Sequence, residues 1–167
     1  MLFRSLALAR RARITPGMDA LGYLEQARSL YVDDLLVGPE ARRYAWLDER
    51  DPSGVTLREH FRRQYHQACV RLAQLYASAG DLGAAVELYR ELTESDPGDE
   101  RLWLALFQVQ ARRRDRLALV REEQRMREAL RDLSGDAPAD EPSFETSQEF
   151  ERLVAGLHDR DRQPVTA

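Results

Sequence analysis

The stretch Cys69-Val-Arg-Leu72-Ala73-Gln-Leu-Tyr76-Ala-Ser-Ala-Gly80-Asp81, continued by Ala85, Tyr89 and Pro97, decides the fold. Leu72, Ala73 and Tyr76 share one face of a first helix, and Ala85 and Tyr89 share one face of a second. Small side chains at Ala73 and Ala85 let the two backbones approach, while Tyr76 and Tyr89 fill the space around them. Gly80 suits the end of the first helix, and Pro97 stops the second. Moving on by 34 residues puts Trp103 and Leu106 in the places of Cys69 and Leu72, so the hairpin repeats.

The pattern extends in both directions. Thr56-x-x-Glu59 is a capping box that opens a helix over 56–79, with Leu57, Phe61, Tyr65, Ala68, Cys69, Leu72, Tyr76 and Ala79 on its apolar stripe. Helices are expected over 81–95, over 99–113 with Asp99 as N-cap, and over 115–133 with Leu119, Val120, Met126, Leu130 and Leu133 buried. Ser143 or Thr146 caps a last helix carrying Phe144, Phe150, Leu153, Val154 and Leu157. Upstream, residues 1–17 form a short basic helix ended by Pro16-Gly17, a helix covers 19–35, and a brief one covers 40–49. The expected fold is all-α, about seven helices stacked as antiparallel hairpins. The expected organisation is a basic segment over 1–17, a repeat domain over 18–158 and a frayed tail over 159–167.

Composition agrees with helix and excludes several classes of function. Alanine, leucine, arginine and glutamate dominate, and Ile14 is the one isoleucine. All 25 cations are arginine, and the net charge of −4 argues against a dedicated nucleic-acid binder. Charge is uneven: residues 1–17 hold four arginines and no acid, 112–131 carry +4, and 132–167 carry −6. The single cysteine excludes an internal disulfide framework and fits a reducing compartment. No apolar run reaches the ~18 residues of a membrane span, and the N-terminus lacks the order of a signal peptide, so the expected location is cytoplasmic.

The spacing around Leu72 and Tyr76 resembles the tetratricopeptide repeat. A second resemblance covers about residues 20–157 and is carried by Leu30-Tyr31-x-x-Asp34-Leu35-Leu36, Trp46-Leu47-Asp48-Glu49, Leu57-Arg58-Glu59-x-Phe61-Arg62-Arg63-Gln64 and Asp140-Glu141-Pro142-Ser143-x-Glu145-Thr146 with Phe150-Glu151-Arg152-Leu153. Together these segments resemble the bacterial transcriptional activator domain, the tetratricopeptide-like module of antibiotic-pathway regulators. The chain departs from the repeat pattern at Phe107, Arg114, Leu119 and Glu123, where small residues, glycine, alanine and an aromatic are usual. Nothing in it resembles the winged-helix DNA-binding domain of such regulators, so specific duplex-DNA binding by this chain alone is not expected.

The tetratricopeptide resemblance implies a partner groove lined by Gln67, Val70, Gln74 and Ser78 and by Arg101, Leu104, Gln108 and Arg112. These positions also flank the packed stripe, which leaves them semi-exposed. Arg112, Arg113, Arg114 and Arg116 form the sharpest basic patch. A phosphate contact is one reading of it, and a solvated helix end whose arginines oppose the helix dipole is the plainer one. His66 and Cys69 stand at i, i+3, but the ligand count falls short of a zinc site, so Cys69 reads as core. The acidic pairs Asp33-Asp34 and Glu122-Glu123 read as solvated helix surface, and Trp46 and Trp103 as core. No catalytic motif, metal site or cofactor signature is present. The expected function is a non-enzymatic interaction module with a protein partner, part of or accessory to a transcriptional regulator. The alternative is a cytoplasmic adaptor unconnected with transcription.

Overall fold

A computed structural model describes residues 2–15, 17, 19–30, 41–134 and 141–161, and they are helical almost throughout. The elements are α1 (Leu2–Ile14), α2 (Asp19–Leu30), a 3-10 helix (Ala41–Asp48), α3 (Leu57–Ala79), α4 (Leu82–Ser95), α5 (Glu100–Arg113), α6 (Arg116–Ser134) and α7 (Phe144–Asp161). The all-α expectation of about seven helices holds, and none of these helices is long and apolar enough to cross a membrane. The acidic pair Asp33-Asp34 lies outside the described residues. The chain forms two compact units, residues 1–75 and 76–167, and α3 runs through the boundary.

In the first unit α1 lies on α2. Ala9, Ala12, Ala20, Leu24 and Ala27 are all buried, and small residues at four of these five places permit close approach. The Ser5 hydroxyl donates to the Ala27 carbonyl at 2.7 Å, and Gly17, with φ of 63°, makes the turn between the helices. Arg71 of α3 donates to the Thr15 carbonyl at 3.2 Å and so holds the end of α1. The capping box forms as read: the Thr56 N–H reaches Glu59 Oε2 at 2.8 Å, and the Glu59 N–H reaches Thr56 Oγ1 at 3.1 Å. Leu47 and Phe61 form a buried pair with Leu6 and Leu57 against it. Trp46 corrects the sequence reading, because it is 50 % exposed whereas Leu47 is buried. A 3-10 turn points neighbouring side chains about 120° apart, and only one of the two can face inward.

The second unit takes in the last turn of α3 and the helices α4 to α7. The Gly80 N–H bonds the Ala77 carbonyl at 3.3 Å with φ of 88°, so α3 ends at a left-handed residue. Asp81 and Asp99 cap α4 and α5, accepting from the backbone N–H groups of Ala84 and Arg101. Arg114 takes the left-handed conformation at the end of α5, with φ of 59°, where glycine would meet no steric cost. Helix α5 packs against α4, α6 and α7, and it buries Leu102, Trp103, Leu106, Phe107, Val109 and Gln110.

Three further expectations are corrected here. Leu133 is 57 % exposed, because it lies in the last turn of α6. Phe144 is 82 % exposed, because it is the first residue of α7 and lies outside the packed stretch. Glu122 is buried rather than solvated. It lies on the α6 stripe with Leu119, Met126 and Leu130 and is held by two arginines. Arg90 of α4 donates to Glu122 Oε1 through Nε at 2.7 Å and also through Nη2, and Arg125 Nη1 donates to Oε2 at 3.0 Å. Glu123, next to it, pairs with Arg127.

The clamp is asymmetric. The Glu122 side chain is 1 % exposed, whereas those of Arg90 and Arg125 are 41 % and 38 % exposed. Removing an arginine strands a buried carboxylate, but removing the carboxylate frees arginines that can reach water. Arg90→Met should therefore cost about 3 kcal/mol, and Glu122→Met about 1 kcal/mol or less. Urea midpoints measure both, and equal losses would contradict the asymmetry.

Candidate functional site

The site is built by docking α7 on α5. Glu100, in the first turn of α5, accepts the Ser143 N–H at 3.1 and 3.0 Å and the Ser143 hydroxyl at 2.7 Å. Ser143 in turn caps α7, accepting the Thr146 N–H at 3.3 Å, and its Oγ lies 3.0 Å from the hydroxyl of buried Thr146. Burial acts most strongly on the Glu100 carboxyl and alone would raise its pKa. The Thr146 and Ser143 hydroxyls and the Ser143 N–H together outweigh that and hold it below the ordinary value. Two turns further on, the Phe107 and Phe150 rings meet edge to face, 5.5 Å between centroids.

Beyond the rings the helices leave a cleft of about 430 Å³. Gln108, Ala111 and Arg112 of α5 form one wall, and Glu149, Arg152, Leu153, Gly156 and Leu157 of α7 form the other. Arg152 grips Glu149 with two hydrogen bonds of 2.7 and 2.6 Å. That grip, aided by Gln108, lowers the Glu149 pKa, and the same pair raises that of Arg152. The cleft therefore has an apolar floor and a rim on which fixed charges of both signs stand at known places. Such a surface can hold an apolar side chain and orient polar groups around it. Among the described residues that line it there is no serine, cysteine or histidine to act as nucleophile or base.

Among the predicted groove residues, the structure brings Gln108 and Arg112 together in this cleft. Arg101 is exposed and Leu104 half-buried on α5, and Ser78 is exposed in the last turn of α3. Gln67 and Gln74 are exposed and Val70 half-buried on the part of α3 that belongs to the first unit. Arg112 is not simply free, since its Nη2 donates to the Ala77 carbonyl at 2.7 Å and caps the end of α3. In the basic patch Arg112, Arg113, Arg114 and Arg116 are all exposed. Arg112 and Arg113 oppose the α5 dipole at its C-terminus, whereas Arg116 is the first residue of α6, where a cation gains nothing from the dipole. Cys69 is buried, and among the described residues no group of three or more potential ligands could hold a metal ion.

Sequence reasoning missed the α7 wall. Glu149 and Arg152 stand at i, i+3 on α7 and were legible as a helix pair, but their place opposite Gln108 was not. The tetratricopeptide repeat family model matches residues 66–109, the second half of α3, all of α4 and most of α5. No curated protein and no solved structure gives a significant match to the chain.

The Glu100 clasp predicts a specific acid sensitivity. Its folded-state pKa is lowered, so its stabilisation is fully present above the ordinary value of 4.5 and is lost as the pH falls through the folded value. The urea midpoint of the wild type should fall over that window. Glu100→Gln should start lower and fall less steeply, and parallel pH curves for the two proteins would contradict the clasp.

Proposed function

We propose that this chain is a non-enzymatic protein-interaction module whose α5–α7 cleft receives a segment of a partner protein. The observation that carries the reading is a cleft, part apolar and part charged, on the helix where the matched repeat ends. Tetratricopeptide repeats generally mediate protein–protein interaction, and helical repeats of this kind are typically non-enzymatic. The partner class we propose is a DNA-binding regulator, the transcription machinery or a second copy. Support for it lies in the resemblance of Trp46-Leu47-Asp48-Glu49 and of Asp140 to Leu153 to the bacterial transcriptional activator domain. The Ser143 to Thr146 part of that resemblance also has a structural role, since it caps α7 and binds Glu100. An adaptor unconnected with transcription is the second reading, favoured by the general character of the repeat model that matches. Genes neighbouring this one separate the two: a biosynthetic cluster or an adjacent DNA-binding gene favours the regulator.

Gly156 offers a clean test of the cleft. A Cβ there would meet nothing within 4 Å, so a side chain can be added without a clash. Leucine is also a better helix former than glycine, by about 0.8 kcal/mol. Gly156→Leu should fill the cleft, keep or raise the thermal midpoint, and lose the partner that the wild-type chain captures from its native host. Arg131→Ala, exposed on α6 and outside the cleft, should retain that partner. Unchanged capture by a folded Gly156→Leu protein would sink this reading.

A further inference from the structure

The basic run at the start of the chain belongs to a different surface. Helix α1 carries Arg4, Arg10, Arg11 and Arg13 and no acid in its 13 residues. Ser5, Ala9 and Ala12, at i, i+4 and i+7, are its buried residues. One position further round, Leu6, Arg10 and Arg13 repeat the same spacing, and they line a cleft of about 370 Å³ with His60, Phe61 and Gln64 of α3. Its floor is apolar: Phe61 is buried and Leu6 packs against it. Its rim carries the Arg10 and Arg13 guanidiniums, the His60 ring and the Gln64 amide, and no acid lines it among the described residues.

Several arginines of the chain are already engaged, and among the described residues those of this cleft are not. Arg58, Arg90, Arg125, Arg127 and Arg152 each hold a carboxylate. Arg11 lies over the Tyr23 ring, 4.9 Å from its centroid. Arg10 and Arg13 are exposed and have no carboxylate partner among the described residues. Two unpaired guanidiniums beside an apolar floor are complementary to carboxylates that flank an apolar side chain.

We propose that this α1–α3 cleft docks an acidic segment of a protein partner that carries an apolar side chain between its carboxylates. A duplex would meet a chain of net charge −4, and it presents no apolar group between its phosphates to fill the floor. A membrane would need a free apolar helix face, whereas Ser5, Ala9 and Ala12 of α1 are already buried within the unit. The proposal rests on residues of the first unit alone and is independent of the α5–α7 reading.

The test uses the full chain and a fluorescein-labelled peptide in which aspartates and glutamates surround one leucine and one phenylalanine, followed by fluorescence anisotropy at about 0.1 M salt. Saturable binding is expected. Arg10→Glu with Arg13→Glu should weaken it about tenfold or more, and Gln64→Glu, at the same rim but on α3, should weaken it in the same direction. Arg4→Glu with Arg131→Glu makes the same charge change outside the cleft and should alter binding by no more than about twofold. Replacing the two apolar peptide residues with serine should also cost about tenfold. An equal loss in the control pair, equal binding of the serine peptide, or no saturable binding would overturn the proposal. So would tighter binding to duplex DNA or to phosphatidylserine vesicles than to the peptide.

Discussion

Helix α5 must bury side chains against three neighbours at once, and the second unit depends on that constraint. Leu106 and Phe107 have no exposed surface, and α4, α6 and α7 all pack against α5. Phe107 stands where a tetratricopeptide repeat usually has a small residue. In this structure its ring meets Phe150, so the larger side chain helps to seat α7. The Glu100 clasp fixes the start of α7, and the Phe107–Phe150 contact fixes its middle. With both points set, the cleft lies beyond the rings, between the later turns of the two helices. The site is thus a consequence of how α7 is anchored rather than of any one residue in it.

Much of this was legible in the sequence because local rules and packing agreed. The capping box at Thr56 and Glu59, the caps Asp81 and Asp99, and the helix from Leu57 to Ala79 each follow from short-range spacing, though Ala79 at its end is exposed rather than on a packed stripe. The misses share a different character. Glu122 sits on the apolar stripe of α6, and an acid there is tolerable only because Arg90 reaches it from a position 32 residues earlier. Spacing within one helix cannot show that partner. The same holds for Glu100 and Ser143, which are 43 residues apart. Trp46 failed for a local reason, since a short 3-10 helix has no apolar stripe long enough to assign a face. Arg112 was read as a semi-exposed groove residue, and its guanidinium also closes the end of α3.

The two clefts differ in a way that bears on what each can hold. In the α5–α7 cleft Arg152 is paired with Glu149, which leaves Arg112, bonded to the Ala77 carbonyl, as the lining cation without a carboxylate among the described residues. In the α1–α3 cleft both Arg10 and Arg13 lack a carboxylate partner among the described residues, so positive charge is its main resource. Protein–protein interaction is what tetratricopeptide repeats generally mediate.

The central claim is that a partner enters between α5 and α7. Hydrogen exchange of the chain, free and with its native partner bound, tests this most directly, because it reports protection along each helix. The account predicts added protection in the second halves of α5 and α7, where the cleft walls stand. Protection confined to α4 and α6, with α5 and α7 exchanging as in the free chain, would contradict it.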